Sequence, residues 1–201
     1  MRPMHFAAAM VSALVLSNPA SAGFFDLTLA PYVGGNLGQS SSDISCAAGV
    51  SCDDSDTAWK IYGGLEINEY ISMEVGYIDL GEVTYTGTRT GTRETNGMIM
   101  AVVGTYAINP SFTLSSRGGM NFLNTEVNGT IAATPTNPTN NNTGDTDVVW
   151  SFGVGAQYNI TPSVGLRLDW ERFFEAGSSD YNGGTGEADI DLLSAGVVYK
   201  F

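Results

Sequence analysis

Trp150-Ser151-Phe152-Gly153-Val154-Gly155-Ala156-Gln157-Tyr158-Asn159-Ile160-Thr161-Pro162-Ser163-Val164-Gly165-Leu166-Arg167-Leu168-Asp169-Trp170 alternates apolar and small or polar residues on both sides of one turn. Trp150, Phe152, Val154, Ala156, Tyr158 and Ile160 recur with period two, and so do Val164, Leu166, Leu168 and Trp170. That period belongs to a strand, not to a helix of period 3.6. Ile160-Thr161-Pro162-Ser163 between the two runs carries turn-favouring Thr and Pro. The segment therefore reads as a hairpin whose strands present apolar side chains to one face. Its other face carries Gln157, Arg167, Asp169 and, one step on, Glu171.

The same unit recurs upstream. Ile67-Asn68-Glu69-Tyr70 and Ile108-Asn109-Pro110-Ser111 are tight turns, and Ile67/Ile71/Met73, Ile108/Phe112/Leu114 and Ile160/Val164/Leu166 share one spacing. Further apolar rows run along Leu27, Leu29, Val33 and Leu37; Trp59, Ile61, Leu65 and Ile67; and Ile71, Met73, Val75 and Tyr77. Met98 to Ile108 is apolar on both faces; Phe112, Leu114, Met120 and Phe122 follow, and Leu193, Ala195, Val197, Tyr199 and Phe201 close the chain. These make eight segments, each long enough to cross a bilayer as a tilted strand of about 9–11 residues. Three connections are tight and four are long and polar, near 40–56, 81–93, 124–146 and 175–187. Short turns at one end and long loops at the other are the layout of an outer-membrane barrel. A soluble sandwich fits the alternation too, but it would bury the apolar face against a second sheet.

Composition excludes several functions. The 201 residues carry 8 Lys+Arg against 21 Asp+Glu, a formal charge of −13, so binding nucleic acid through a basic face is not expected. The 25 Gly, 9 Tyr and 9 Phe with only 14% charged residues suit an all-β chain. The one His, His5, lies in a segment expected to be removed, which leaves no imidazole for a Ser-His or Cys-His relay or for a metal site. No cofactor, metal or enzymatic activity is expected.

Residues 1–22 read as a secretory signal: Arg2 and His5, then an apolar run from Phe6 to Leu16, then Ala20-Ser21-Ala22 at the cleavage positions. The apolar run is shorter than the roughly 20 residues of a spanning helix. The expected division is 1–22 signal peptide and 23–201 barrel domain. Export places Cys46 and Cys52 in an oxidising compartment, where a disulfide closing their small loop is expected; two free thiols are the alternative.

Asn68-Glu69-Tyr70-Ile71-Ser72-Met73-Glu74-Val75-Gly76-Tyr77-Ile78-Asp79-Leu80-Gly81, the run Ile160 to Trp170, and Gly196-Val197-Val198-Tyr199-Lys200-Phe201 resemble the OmpA-like transmembrane β-barrel family. Fainter matches are Tyr32 to Gly38 and Arg117-Gly118-Gly119-Met120. The resemblance implies an eight-stranded antiparallel up-and-down barrel with both termini in the periplasm, short periplasmic turns and four long extracellular loops. It also implies that interior charges block or gate a narrow lumen. By position, Glu74 falls on the family's interior glutamate, Arg167 on the arginine that pairs with it, and Arg117 on a second interior arginine. Gln157 stands where the family often has Glu, Val103 where it can have Lys, and Asn36 where it has Lys, so a less cationic interior is expected. The resemblance is to the barrel alone, so anchoring through an appended peptidoglycan-binding domain is not expected.

The expected interior network is Glu74, Arg117, Gln157, Arg167, Asp169 and Glu171. A bland reading makes it a polar plug that satisfies the barrel; the sharper one makes it a charge gate. Tyr32, Trp59, Tyr70, Tyr77, Tyr106, Tyr158, Trp170, Phe174, Tyr199 and Phe201 read as aromatic girdles at the membrane surfaces. Tyr199 and Phe201 resemble a C-terminal signal read by the barrel-assembly machinery. The acidic loops read as a solvated repulsive surface, or as sites where divalent cations bridge to lipopolysaccharide. The expected protein is a monomer in the outer membrane of a Gram-negative bacterium, with lipid and lipopolysaccharide as partners. Its expected role is structural or surface interaction; the alternative is a narrow, low-conductance pore for ions or small solutes gated by interior charge pairs.

Overall fold

The computed structural model describes residues 29–44, 50–87, 90–129, 142–177 and 187–201. The expected signal segment, Leu27 and Cys46 lie outside them. The strands are β1 (Ala30–Ser42), β2 (Val50–Asp53), β3 (Ser55–Glu66), β4 (Ile71–Gly87), β5 (Gly91–Asn109), β6 (Phe112–Gly129), β7 (Asn142–Asn159), β8 (Val164–Ala176) and β9 (Ala188–Lys200). β1 and β3 to β9 pair antiparallel with their neighbours, and β9 returns to β1 from Tyr32↔Lys200 to Ser42↔Ile190. The result is a closed eight-stranded antiparallel barrel. β2 adds only to the upper end of β4, through Val50↔Gly87 to Asp53↔Thr84.

Burial is inverted relative to a soluble sheet. Leu37 is 68% exposed on the outer wall, whereas Lys60 is 1% exposed inside the barrel. An outer wall of Leu37, Ile61, Met73, Val75, Met98, Phe152 and Leu168 matches hydrocarbon. Two aromatic belts edge it. Tyr70, Tyr106, Tyr158, Tyr199 and Phe201 stand near the tight turns; Trp59, Tyr77, Trp170 and Phe174, joined by Phe122 and Trp150, stand towards the loops. Tyr32 departs from the expected girdle. It occupies the parity opposite to Val33, points into the lumen and is 6% exposed.

Two of the expected loops begin and end as strand. β4 and β5 stay paired up to Tyr85↔Gly91, and β6 and β7 up to Asn128↔Asn142, well beyond the loop-side belt. β-Branched and aromatic residues such as Val83, Thr84, Tyr85, Thr92 and Thr95 favour the extended backbone whatever their polarity. A bulge between Asp79 and Glu82, with Gly81 at φ 79°, lets β4 leave the membrane. It also changes which parity faces inward: Ser72, Glu74, Ile78 and Leu80 are buried below it, Val83 and Tyr85 above it.

The lumen is layered. Near the turns lies a polar vestibule of about 270 Å³ reaching from Glu66, Glu69 and Lys200 up to Glu74 and Arg167. A layer of charges follows. Above it Ala58, Ile78, Leu80, Ile99, Leu123, Val149, Phe173, Ile190 and Leu192 pack as one apolar layer. Val83, Tyr85 and Val127, with Ile44 and Cys52 against them, form a smaller cluster higher still. The interior is thus polar throughout the turn-side half and mixed in the loop-side half, where Ser40, Arg93, Thr95, Asn121 and Thr125 are buried alongside the apolar residues.

Close approach at the barrel seam is set by reciprocal pairs, Tyr32↔Gly64 and Gly34↔Tyr62, in which each ring lies over the facing glycine. A Cβ at Gly64 would lie 2.0 Å from Tyr32 Cζ. Gly64→Ala should therefore cost about 1–3 kcal/mol through overpacking, read as a lower urea midpoint of the barrel refolded in lipid vesicles, while exposed Ser116→Ala should leave the midpoint unchanged.

Candidate functional site: a closed ring of interior charges

Four strands bring charges to one level of the lumen. β3 supplies Lys60, β4 Glu74, β6 Arg117, and β8 supplies Arg167, Asp169 and Glu171 at alternate, inward positions. The side chains bond in sequence around a closed circuit. Lys60 Nζ contacts Glu171 Oε1, whose other partner is Arg117 Nη1 at 2.9 Å. Arg117 Nη2 contacts Glu74 Oε2, and Glu74 Oε1 lies 2.6 Å from Arg167 Nη1. Arg167 Nε reaches Asp169 Oδ1 at 2.9 Å, and Asp169 Oδ2 returns to Lys60 Nζ at 3.2 Å. Every cation touches two carboxylates and every carboxylate two cations, so three positive charges balance three negative ones. Burying ions is costly unless they are paired with good geometry; alternation around a circuit meets that condition for all six.

Neutral groups complete the layer. Tyr32 OH donates to Glu74 Oε1 at 2.9 Å, Asn36 Nδ2 donates to Asp169 Oδ2 at 3.1 Å, and Arg167 Nη1 donates to Tyr62 OH at 3.3 Å. The Arg167 guanidinium also stands 5.2 Å from the Tyr62 ring centroid. β7 contributes space instead of charge. A Cβ at Gly155 would lie 2.2 Å from Asp169 Oδ1, and one at Gly153 would lie 2.7 Å from Glu171 Cγ.

Five of the six residues expected in the network, Glu74, Arg117, Arg167, Asp169 and Glu171, stand in this circuit. Gln157 does not. It sits nearer the turns, lines the vestibule and donates to Asn159 Oδ1 at 2.7 Å. Lys60 stands in the circuit although the expected network did not include it. Val103 and Asn36 carry no charge, but Lys60 supplies a third cation from β3. The sequence held a signal for it and for Tyr62: both share the parity opposite to outward Trp59 and Ile61. Tyr199 and Phe201 lie on the outer wall with ring centroids 5.2 Å apart, edge to face. Cys52 packs at the upper cluster, and its expected partner Cys46 is outside the described residues.

A closed β-barrel with a lipid-matched exterior and a polar core defines an integral outer-membrane protein. The chain belongs to the family described as OmpA-like transmembrane domain, which matches residues 30–201. It is similar to outer membrane protein A of Escherichia coli O157:H7, at 31% identity over 142 residues covering 70% of this chain and 38% of that protein. Outer membrane protein A of Escherichia fergusonii is 29% identical over 147 residues, covering 70% and 39%. The chain thus spans about two-fifths of the length of these curated relatives. Among solved structures, Neisserial surface protein A has a TM-score of 0.61 at 15% identity, covering 85% of this chain and 97% of that one. OprG from Pseudomonas aeruginosa has a TM-score of 0.57 at 11% identity, covering 87% and 97%. These two share the fold. The chain is a multi-pass protein of the Gram-negative outer membrane, so the tight turns face the periplasm and the loops the exterior.

Removing one member of the circuit leaves two counter-charges short of a partner. Glu74→Gln should destabilise the barrel by about 3–5 kcal/mol, whereas Gln157→Ala, outside the circuit, should stay within about 0.5 kcal/mol. Guanidinium unfolding in vesicles, with boiled against unboiled gel mobility to score the folded fraction, measures both.

Proposed function

We propose that this barrel is a non-conducting structural element of the outer membrane that displays its long loops to the exterior. The observation that carries this reading is the pair of stacked barriers in the lumen: a charge circuit in which every ion meets two counter-ions, and an apolar layer around Phe173 directly above it. An ion entering from the vestibule would have to break two ion pairs and then cross a mainly apolar layer, each a desolvation cost of several kcal/mol. A charge gate that opened only the circuit would still meet that layer, which weighs against the reading of a narrow, low-conductance pore.

Catalysis is not part of the proposal, because each interior carboxylate is held by two cations and so is poorly placed to move a proton. Lipid and lipopolysaccharide against the outer wall, delivery by the assembly machinery through Tyr199 and Phe201, and a monomeric state belong to the same reading. So do removal of residues 1–22 and a Cys46–Cys52 bridge steadying the loop beside β2.

Planar-bilayer recording of the refolded barrel, its folding checked by heat-modifiable mobility, tests the proposal. Silence is expected from the wild type and from Glu74→Ala. Discrete openings in the wild type, or openings that appear in Glu74→Ala while the apolar layer is intact, would favour the gated pore.

A further inference from the structure

Beyond the loop-side belt the barrel wall, among the described residues, continues as an open sheet. Its order there is β2-β4-β5-β6-β7, because β8 joins β7 only from Trp150↔Phe174. Between Gly144 and Val148, β7 pairs with β6 on one side, and no strand pairs with it on the other among the described residues. The hydrogen-bonding phase follows from the turns. Asn159 N–H bonds to Ser111 O across β6, and Ile160 N–H bonds to Val164 O across β8. With an unbroken register along β7, even-numbered residues turn their backbone groups away from β6. The N–H and C=O groups of Gly144, Thr146 and Val148 therefore face the open edge, and these three residues are exposed. One of the donors is engaged locally: Thr146 N–H donates to its neighbour Asp145 Oδ1 at 2.9 Å.

The chemistry along this edge is anionic. Asp145 and Asp147 sit on the lumen-side face, opposite Thr125 and Leu123, and Asp147 Oδ2 is buried without a hydrogen-bond partner. Burial and the neighbouring Asp145 hold the Asp147 carboxyl above its usual range, against the pull of Arg93. The chain has few cations to spare for it. Ser178 to Gly186, the stretch that follows β8, contains no Lys or Arg, and neither does Thr130 to Asn141. Like charge also disfavours pairing of this edge with the same edge of a second copy.

We infer that the β7 edge from Gly144 to Val148 is a docking site for an extended, cationic segment of a partner protein, which adds as a strand and places Lys or Arg at alternate positions beside Asp145 and Asp147. Main-chain bonds to Gly144, Thr146 and Val148 would supply affinity, and the two carboxylates the preference for charge. The incoming cation also releases Thr146 N–H, by drawing the Asp145 carboxylate off it.

The test uses the refolded barrel in nanodiscs and a labelled peptide of alternating Lys and Thr. Binding is followed by anisotropy, and amide exchange is followed at residues 144, 146 and 148. Saturable binding with slowed exchange at those amides is expected. N-methylation of the peptide on the bonding edge should weaken binding about tenfold, the equivalent of about 1.4 kcal/mol. Asp145→Asn with Asp147→Asn should weaken it several-fold without altering heat-modifiable folding. Equal binding of the N-methylated peptide would mean attraction to a diffuse acidic surface and would overturn the proposal. So would protection of the three amides before peptide is added, which would place the chain's own loop or a second copy on the edge.

Discussion

Hydrocarbon offers no partner for a backbone amide, and the architecture of this chain depends on that constraint. Each strand in the membrane must pair on both sides, so the sheet has to close, and β9 returns to β1 along most of its length. Closure leaves two surfaces of opposite demand. The outer wall must be largely apolar along the outward-facing residues, and it is, with small residues such as Ser116 and Gly118 interspersed. The inner wall encloses a space about as wide as the side chains that fill it, so its contents must satisfy one another.

The interior satisfies itself by two different means. On the periplasmic half it uses charge, arranged so that each ion has two counter-ions. On the exterior half it uses apolar packing around Phe173, Leu123 and Leu192, with the few buried polar groups bonded locally, as Ser40 Oγ is to Leu80 O and Asn121 Nδ2 to Val149 O. Glycines make the first arrangement possible. Gly153 and Gly155 leave room on β7 for Glu171 and Asp169, and Gly64 and Gly34 leave room for Tyr32 and Tyr62, whose hydroxyls bond to the charges. Above the membrane the constraint lapses. β4 to β7 continue as strands outside the membrane, where an edge left unpaired among the described residues is tolerable because water can bond to it and because Asp145 and Asp147 discourage association.

How far each feature could be read from the chain depends on the distance over which it is encoded. Strand identity is local. Leu166, Leu168 and Trp170 alternate with Arg167 and Asp169, and no other part of the molecule is needed to see which residues share a face. Glu74 and Arg167 stood out for the same reason, as charges on the inward parity of apolar strands. Lys60 shared that parity, yet its bond to Glu171 joins residues 111 positions apart and crosses the lumen. Gln157 had the right parity but the wrong height, since height depends on the stagger between strands. Val83 and Tyr85 face inward only because the Gly81 bulge shifts the phase of β4.

The amino-acid sequence by itself determined the strand period, the three tight turns, the inversion of polarity and thus the membrane barrel, because each follows from neighbours along the chain. That six charges close into one circuit, that an apolar layer caps it and that β7 runs beyond the last described pairing with β8 came from the assembled barrel. Those features depend on the register at which distant strands meet, and register is set by all eight pairings together once the barrel closes.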